Sequence, residues 1–314
     1  MKYFSPLFPF IAGWLLLIAS QSFSALSLVN GFLQLVLFAF VVCLPIALTG
    51  RLSYVDIGWP WGLVLIGLLT FLFAEGEPIR VALVSMAYIF AGGRMGIGAL
   101  KMWQTGFLKR ELPRYEYQKK RWLAAGKTNE KLIMQVEGVL QGLANASFLA
   151  MPAFIIASNT SATISPLEII GAVIWLAAFI MESVADKQKH TFLSAMKRSG
   201  ERHRVCNIGL WRYSRHPNYF AEWMVWNGLI IASVPSWLAL YQQESWLIGL
   251  LLGLGLIYLS WIMYTTLVYY TGAVPAEYYS AQKRPEYRAY QATTNRFFPG
   301  PHRHSSPPIG GDDL

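Results

Sequence analysis

An all-α, polytopic transmembrane bundle of about seven to eight spans is the fold class this sequence predicts. Three observations carry it: recurrent long apolar runs, a charged fraction of only 14% against 54% hydrophobic, and basic residues confined to a few connections. Soluble domains carry about a quarter charged residues, so this chain has exchanged surface charge for apolar length. Segments near 5–20, 28–49, 54–73, 79–103, 138–157, 167–185, 219–234 and 246–270 are mostly apolar. Most approach the roughly 20 residues that a helix needs to cross about 30 Å of hydrocarbon.

The first segment has some features of a cleaved signal, with Lys2 ahead of an apolar stretch and small residues after it. Its apolar region is long and the alternation of the later loops works with it in place, so it reads as a retained helix. The net charge of +9 raises nucleic acid as a partner, but its distribution argues otherwise. Lys and Arg crowd into 101–131, 187–215 and 283–303, whereas the connections 158–166 and 234–245 have none. Basic loops stay cytoplasmic. All three basic stretches are therefore expected on one side, which eight spans satisfy with both termini inside. Four spans with short links fill 1–104, and a basic connection over 105–135 is expected to be helical beyond Pro113. A second membrane region covers 136–299, and the Pro-, Gly- and Ser-rich residues 300–314 read as a disordered tail. Cys43 and Cys206 suit neither a disulfide framework nor a zinc site. His302 and His304, two apart in the tail, make no metal site either.

Polar chemistry concentrates in "NIGLWRYSRHPNYFAEWMVWNG" (207–228). Pro217 fits the first turn of a helix, where a missing N–H costs nothing. From there Asn218 and Glu222 share a face with Tyr219 beside them. Arg215 and His216 stand just before that helix start, and a helix N-terminus with guanidinium groups suits a phosphate or carboxylate. Arg212 and Tyr213 read instead as interfacial anchors. Charges also fall inside the spans: Asp56, Arg94, Glu137, Glu182 and Asp186. A charge at the centre of a span costs about 2.5–3.5 kcal/mol on insertion scales, so each needs a partner or a wet cavity. Arg94 with Asp56 suggests an ion pair, structural or catalytic. Glu182 and Asp186 suit pocket support and interfacial anchoring equally. The glycines of "AGGR" (91–94) and "GLLLGLGL" (249–256) sit inside apolar spans and permit helix contact.

The stretch "GLWRYSRHPNYFAE" (209–222) resembles the signature of the steroid 5-alpha-reductase C-terminal domain family, and the chain resembles its bacterial DUF1295 branch more closely. "MESVADKQKHTFL" (181–193), "TGAVPAEYYSAQKRPEYRAYQATTNRFFP" (271–299) and "RLSYVDIGW" (51–59) extend the resemblance. Ala221 departs from the glycine more usual there. Sterol C14 reductases and isoprenylcysteine carboxyl methyltransferases have a similar C-terminal architecture. The resemblance implies a cofactor pocket lined by Arg215, His216, Asn218, Tyr219 and Glu222. Glu277, Arg284, Tyr287 and Tyr290 would close it from the C-terminal side.

In such reductases NADPH delivers hydride to a conjugated C=C bond while an acid and a tyrosine polarise the carbonyl. Asp56 and Tyr88 are assigned that catalytic role here, with Tyr115 as a further local candidate. The expected protein is an NADPH-dependent oxidoreductase of the bacterial inner membrane acting on a steroid-like, isoprenoid or other lipid substrate. Alternatives are an S-adenosylmethionine-dependent methyltransferase and a non-enzymatic membrane protein. Membrane lipids are expected partners; neither nucleic acid nor a metal is.

Overall fold

The computed structural model describes residues 2–201 and 204–303. The chain is 79% helix, with no strand among the described residues. In order, the helices are α1 (Phe8–Ala19), α2 (Ser24–Phe38), α3 (Leu44–Thr49), α4 (Val55–Phe73), α5 (Pro78–Gln104), α6 (Pro113–Ala124) and α7 (Glu130–Ala146). Then follow α8 (Met151–Ala157), α9 (Pro166–Ser199), α10 (Pro217–Gln243), α11 (Trp246–Thr265), α12 (Ala273–Lys283) and α13 (Tyr287–Thr293). Proline opens α5, α6, α9 and α10 at the position where its missing donor costs nothing. The expected helix beyond Pro113 is α6. The expected disordered tail lies, apart from residues 300–303, outside the described residues.

Among the described residues, seven helical stretches are long and apolar enough to cross a membrane. A five-residue π turn, Ala39–Cys43, carries α2 into α3 without interrupting the first of them. The segment Ser5–Ala19 is apolar but shorter. Its ends are nevertheless tied to two different connections. Lys2 Nζ donates to Gly126 O at 2.5 Å and Tyr3 Oη accepts from Asn129 N, both in the basic connection. Beyond α1, Ser20 Oγ donates to Glu244 Oε1 at 2.6 Å, and Ser22 bonds the same oxygen, in the connection without basic residues. The first helix thus joins the connections that the charge pattern separates.

The chain divides into two compact units: Met1–Trp175 with Trp226–Met263, and Leu176–Val225 with Tyr264–Leu314. In the first unit, a buried amide network links three helices. Gln34 Nε2 donates to Gly62 O at 2.8 Å, Asn145 Nδ2 to Gln34 Oε1 at 3.3 Å and to Trp59 O, and Asn30 Nδ2 to Asn145 O. Hydrocarbon offers these amides no alternative partner, so such bonds favour helix association. Glycines of "AGGR" and "GLLLGLGL" permit helix contact, by backbone approach at Gly92 and by admitting a neighbouring side chain at Gly255. A Cβ on Gly92 would lie 2.5 Å from Pro60 O, and one on Gly255 2.7 Å from Met151 Cε. Large apolar side chains such as Phe32, Phe40, Leu48 and Ile257 point outward and are exposed, as a lipid-facing surface requires.

A buried charge pair of this unit closes the loop 158–165. Arg80, in the first turn of α5, pairs through Nε with Glu168 Oε1 at 2.5 Å, both residues being buried. Its Nη groups donate to Ser161 O and Thr163 O. Removing one partner of such a pair leaves a buried charge uncompensated, at about 3–5 kcal/mol. Arg80→Ala is therefore expected to lower the unfolding midpoint of the detergent-solubilised protein strongly. Arg204→Ala, which breaks an exposed pair with Glu201, should stay within about 0.5 kcal/mol of the parent.

Candidate functional site

All nine residues that the sequence offers for a cofactor pocket fall in the second unit. The local chain is built around Gly209, whose φ of +53° opens the 3₁₀ turn Gly209–Arg212. A Cβ there would also lie 2.6 Å from Gln188 Cδ, so glycine is required twice over. On one side this turn is held by α9. Leu210 N donates to Gln188 Oε1 at 3.0 Å, Trp211 Nε1 to Ala185 O at 2.9 Å, and Lys189 Nζ stands 4.2 Å from the Trp211 ring centroid. On the other side it is held by the chain after α13. Arg215 N donates to Asn295 O, Ser214 Oγ to Phe297 O and Gly300 N to Tyr213 O. Phe297 is buried and packs edge-on to Phe220 and Tyr264.

At the centre is Glu277 on α12. Arg215 grips it with two bonds, Nε to Oε1 at 2.7 Å and Nη2 to Oε2 at 3.2 Å. Gln291 Nε2 at 3.0 Å and Arg296 Nε at 3.3 Å complete Oε2, and His216 Nε2 lies 3.2 Å from Oε1. The remaining Arg215 nitrogen, Nη1, donates to Gln291 O and Thr294 O. The guanidinium is thus spent on the protein's own acceptors, and its task is to fasten the turn before α10 to α12 and the C-terminal chain. Tyr290 does the same by donating to Trp211 O, while Tyr287 packs 5.8 Å from it. Burial pushes both phenols up, so they stay protonated. Gln291, Arg296 and Ser214 belong to this knot although the sequence did not single them out. The only signal was their place inside the 271–299 and 209–222 motifs.

The other candidates lie toward α10. Asn218 donates from Nδ2 to Asp186 Oδ1 at 3.0 Å, which brings the acidic face of α9 to the start of α10. Tyr219 stacks parallel to the His216 ring with centroids 5.3 Å apart. Glu222 and Glu182 have polar partners of their own. Arg284 Nη1 donates to Ser280 Oγ at 3.2 Å. Buried polar atoms without a hydrogen-bond partner here include Asn218 Oδ1, an acceptor, and Arg284 Nε, a donor. Buried polar groups are normally satisfied. Asn218 Oδ1 could accept from an amine or hydroxyl, and Arg284 Nε could donate to an anionic group.

The two residues assigned to catalysis lie in the first unit, in different surroundings. Tyr88 is buried, donates to Leu149 O at 2.6 Å and meets Trp226 edge-on. Its hydroxyl is thus bonded to the turn between α7 and α8. Asp56 pairs with Arg114, and Tyr115 Oη donates to Asp56 Oδ1 at 2.5 Å. Folding thus brings Asp56 two partners from α6, Arg114 and Tyr115, which lie 58 and 59 residues away. Burial, and then the Asp56 charge, push the Tyr115 phenol well up. Among the described residues there is no cluster of metal-ligating side chains.

Seven apolar helices and a helical fold with paired internal charges define an integral, multi-pass membrane protein. The model of the family described as "Protein of unknown function (DUF1295)" matches residues 39–294, and the chain belongs to that family. Neither the curated proteins nor the solved structures include a match to it.

The His216 ring titrates below the usual histidine range, because burial outweighs the favourable Glu277 carboxylate. Lys189 and Arg215 push in the same direction as burial. The unfolded chain, with a histidine pKa of about 6.5, then binds a proton that the folded chain refuses. Stability from this group is present above pH ~6.5 and is lost as pH falls through and below that value. The unfolding midpoint is expected to drop on acidification from about pH 7 to 5.5, and to drop less in His216→Gln.

Proposed function

We propose that this protein is a membrane oxidoreductase that reduces a C=C bond conjugated to a carbonyl in a steroid-like, isoprenoid or other lipid substrate, with NADPH as reductant. The observation that carries the reading is the Tyr115–Asp56 hydrogen bond at 2.5 Å, with Arg114 on the same carboxylate. A phenol held protonated well above its ordinary range is a standing donor. A substrate carbonyl drawing up to Tyr115 Oη takes over the bond that Asp56 accepts, and is polarised by it. Arg114 keeps Asp56 paired throughout, so the dyad does not leave an isolated charge beside the hydrocarbon. NADPH, when bound, would supply the hydride for the β-carbon and leave as NADP⁺, and a proton from solvent water would complete the reduction at the α-carbon.

The nucleotide is assigned to the second unit. Asn218 Oδ1 would accept from an amine or hydroxyl, Arg284 Nε would donate to a phosphate, and Tyr219 on His216 would offer a stacking face. Resemblance to the steroid 5-alpha-reductase C-terminal domain family supports the same residues. By the positive-inside rule the basic stretches, and this site with them, lie on the cytoplasmic side of a bacterial inner membrane. The attachment of the Lys2 end of the first helix to the basic connection supports an inside N-terminus.

One observation favours a second reading, an S-adenosylmethionine-dependent methyltransferase. Arg215 is committed to Glu277, which lowers the number of cations left for phosphates, and S-adenosylmethionine carries only one carboxylate. Parallel titration of the solubilised protein with NADPH, NADH and S-adenosylmethionine decides between them. NADPH is expected to bind, and Asn218→Ala to weaken it at least about tenfold, roughly one buried hydrogen bond. Binding of S-adenosylmethionine alone would overturn the reductase. In turnover with an enone lipid, Tyr115→Phe should cost about 10²–10⁴-fold, the usual weight of a general acid, with NADPH affinity unchanged. Tyr88→Phe should leave turnover near the parent value.

A further inference from the structure

Outside both groups of residues, the first unit has an open cavity of about 300 Å³ lined by Arg51, Tyr54, Trp103, Gln104, Leu108 and Lys109. Two glycine turns make it. Gly50, at φ +66°, ends α3 and sends Arg51 into an extended conformation ahead of α4. Gly106, at φ +74°, ends α5 and folds the turn Phe107–Lys109 back, with Lys109 N bonded to Gly106 O at 3.0 Å. Only glycine adopts such backbone angles without strain. The cavity therefore sits where one span ends, the next begins and a third ends. That is the level of the lipid headgroups.

Its chemistry is cationic and aromatic, and no lining residue is acidic. The nearby carboxylate Glu111 is already engaged, accepting from Leu52 N and Ser53 Oγ and pairing with Lys119. Arg51 Nη2 donates to Tyr54 Oη at 3.3 Å, and its guanidinium carbon lies 5.8 Å from that ring's centroid. Its Nε is buried and has no acceptor. A guanidinium and an ammonium group lining one cavity, with no carboxylate among the lining residues, are complementary to a phosphate. Leu108 is buried in the wall, and Trp103 is exposed at the rim. Such an amphipathic ring is at home at the headgroup level.

We infer that this cavity binds the phosphate headgroup of an anionic membrane lipid. A volume near the lower end of the roughly 300–1,000 Å³ range of small-molecule sites takes a headgroup and leaves the acyl chains in the bilayer. Basic pockets between spans hold anionic headgroups by the same charge pairing.

The test is native mass spectrometry of the full chain in detergent, titrated with phosphatidylglycerol, phosphatidylcholine or inorganic phosphate. The wild-type protein is expected to retain phosphatidylglycerol about tenfold better than phosphatidylcholine. The double variant Arg51→Gln, Lys109→Gln should lose that preference. Lys197→Gln with Arg198→Gln, which removes the same charge from the other unit, should keep it. Equal lipid preference in the parent and the cavity variant would overturn the inference, as would equal loss in both double variants. Displacement of phosphatidylglycerol by low-millimolar inorganic phosphate would reassign the cavity to a free anion and also overturn it. Monodisperse elution of each variant, with a far-UV helical spectrum matching the parent, ties the readout to the cavity.

Discussion

Away from water, a polar group that finds no partner inside the protein finds none at all, and this constraint arranges nearly everything polar in the molecule. Glu277 shows the consequence most fully. Its two oxygens are met by Arg215, His216, Gln291 and Arg296, and those partners come from the turn before α10 and from the C-terminal chain. One carboxylate therefore fixes three stretches that are far apart in sequence. Truncating either side of such a pair costs more than the pair contributes, so the knot is a position where substitution is felt throughout the unit.

The first unit answers the same constraint with smaller groups. Asn30, Gln34 and Asn145 are fully buried and bond one another and the backbone of α4. Arg80 with Glu168, and Arg114 with Asp56, do the same for charge. Around these polar centres the packing is ordinary helix contact through glycine, and the outward surface is left to Phe and Leu. The interior is largely apolar, as in a soluble domain, with a few paired polar centres; the apolar exterior is what differs, and it follows from the solvent.

Which parts of this were legible in the sequence depends on how far apart the interacting residues lie. Apolar length located the spans, and Pro113 and Pro217 located helix starts, because those signals act within a turn or two. Gly92, Gly249, Gly253 and Gly255 are contact points, as read, whereas Gly93 faces open space. Partners were another matter. Arg215 was read as a cation for an outside anion because its carboxylate is 62 residues away, and no local pattern announces it. Tyr88 was preferred to Tyr115 because it lies in a span, yet α6 folds back to bring Tyr115 to Asp56. Asn30 and Gln34 passed unnoticed, since single amides in an apolar run declare a role only when Asn145, more than a hundred residues on, meets them.

The commitment of Arg215 changes the physics of the motif around it. A free guanidinium at a helix start would draw an anion by net charge, and salt would screen it. A guanidinium already neutralised by Glu277 draws little, but it holds the backbone of 209–216 rigidly against its neighbours. In the proposed nucleotide site, recognition would rest on individual unmet atoms, such as Asn218 Oδ1 and Arg284 Nε. Affinity built this way gains from the ordering already done in folding. It discriminates by hydrogen-bond pattern, because a ligand lacking the matching group leaves a buried atom unsatisfied. The motif that looked like a charge trap is, by this argument, a frame for a few directional contacts.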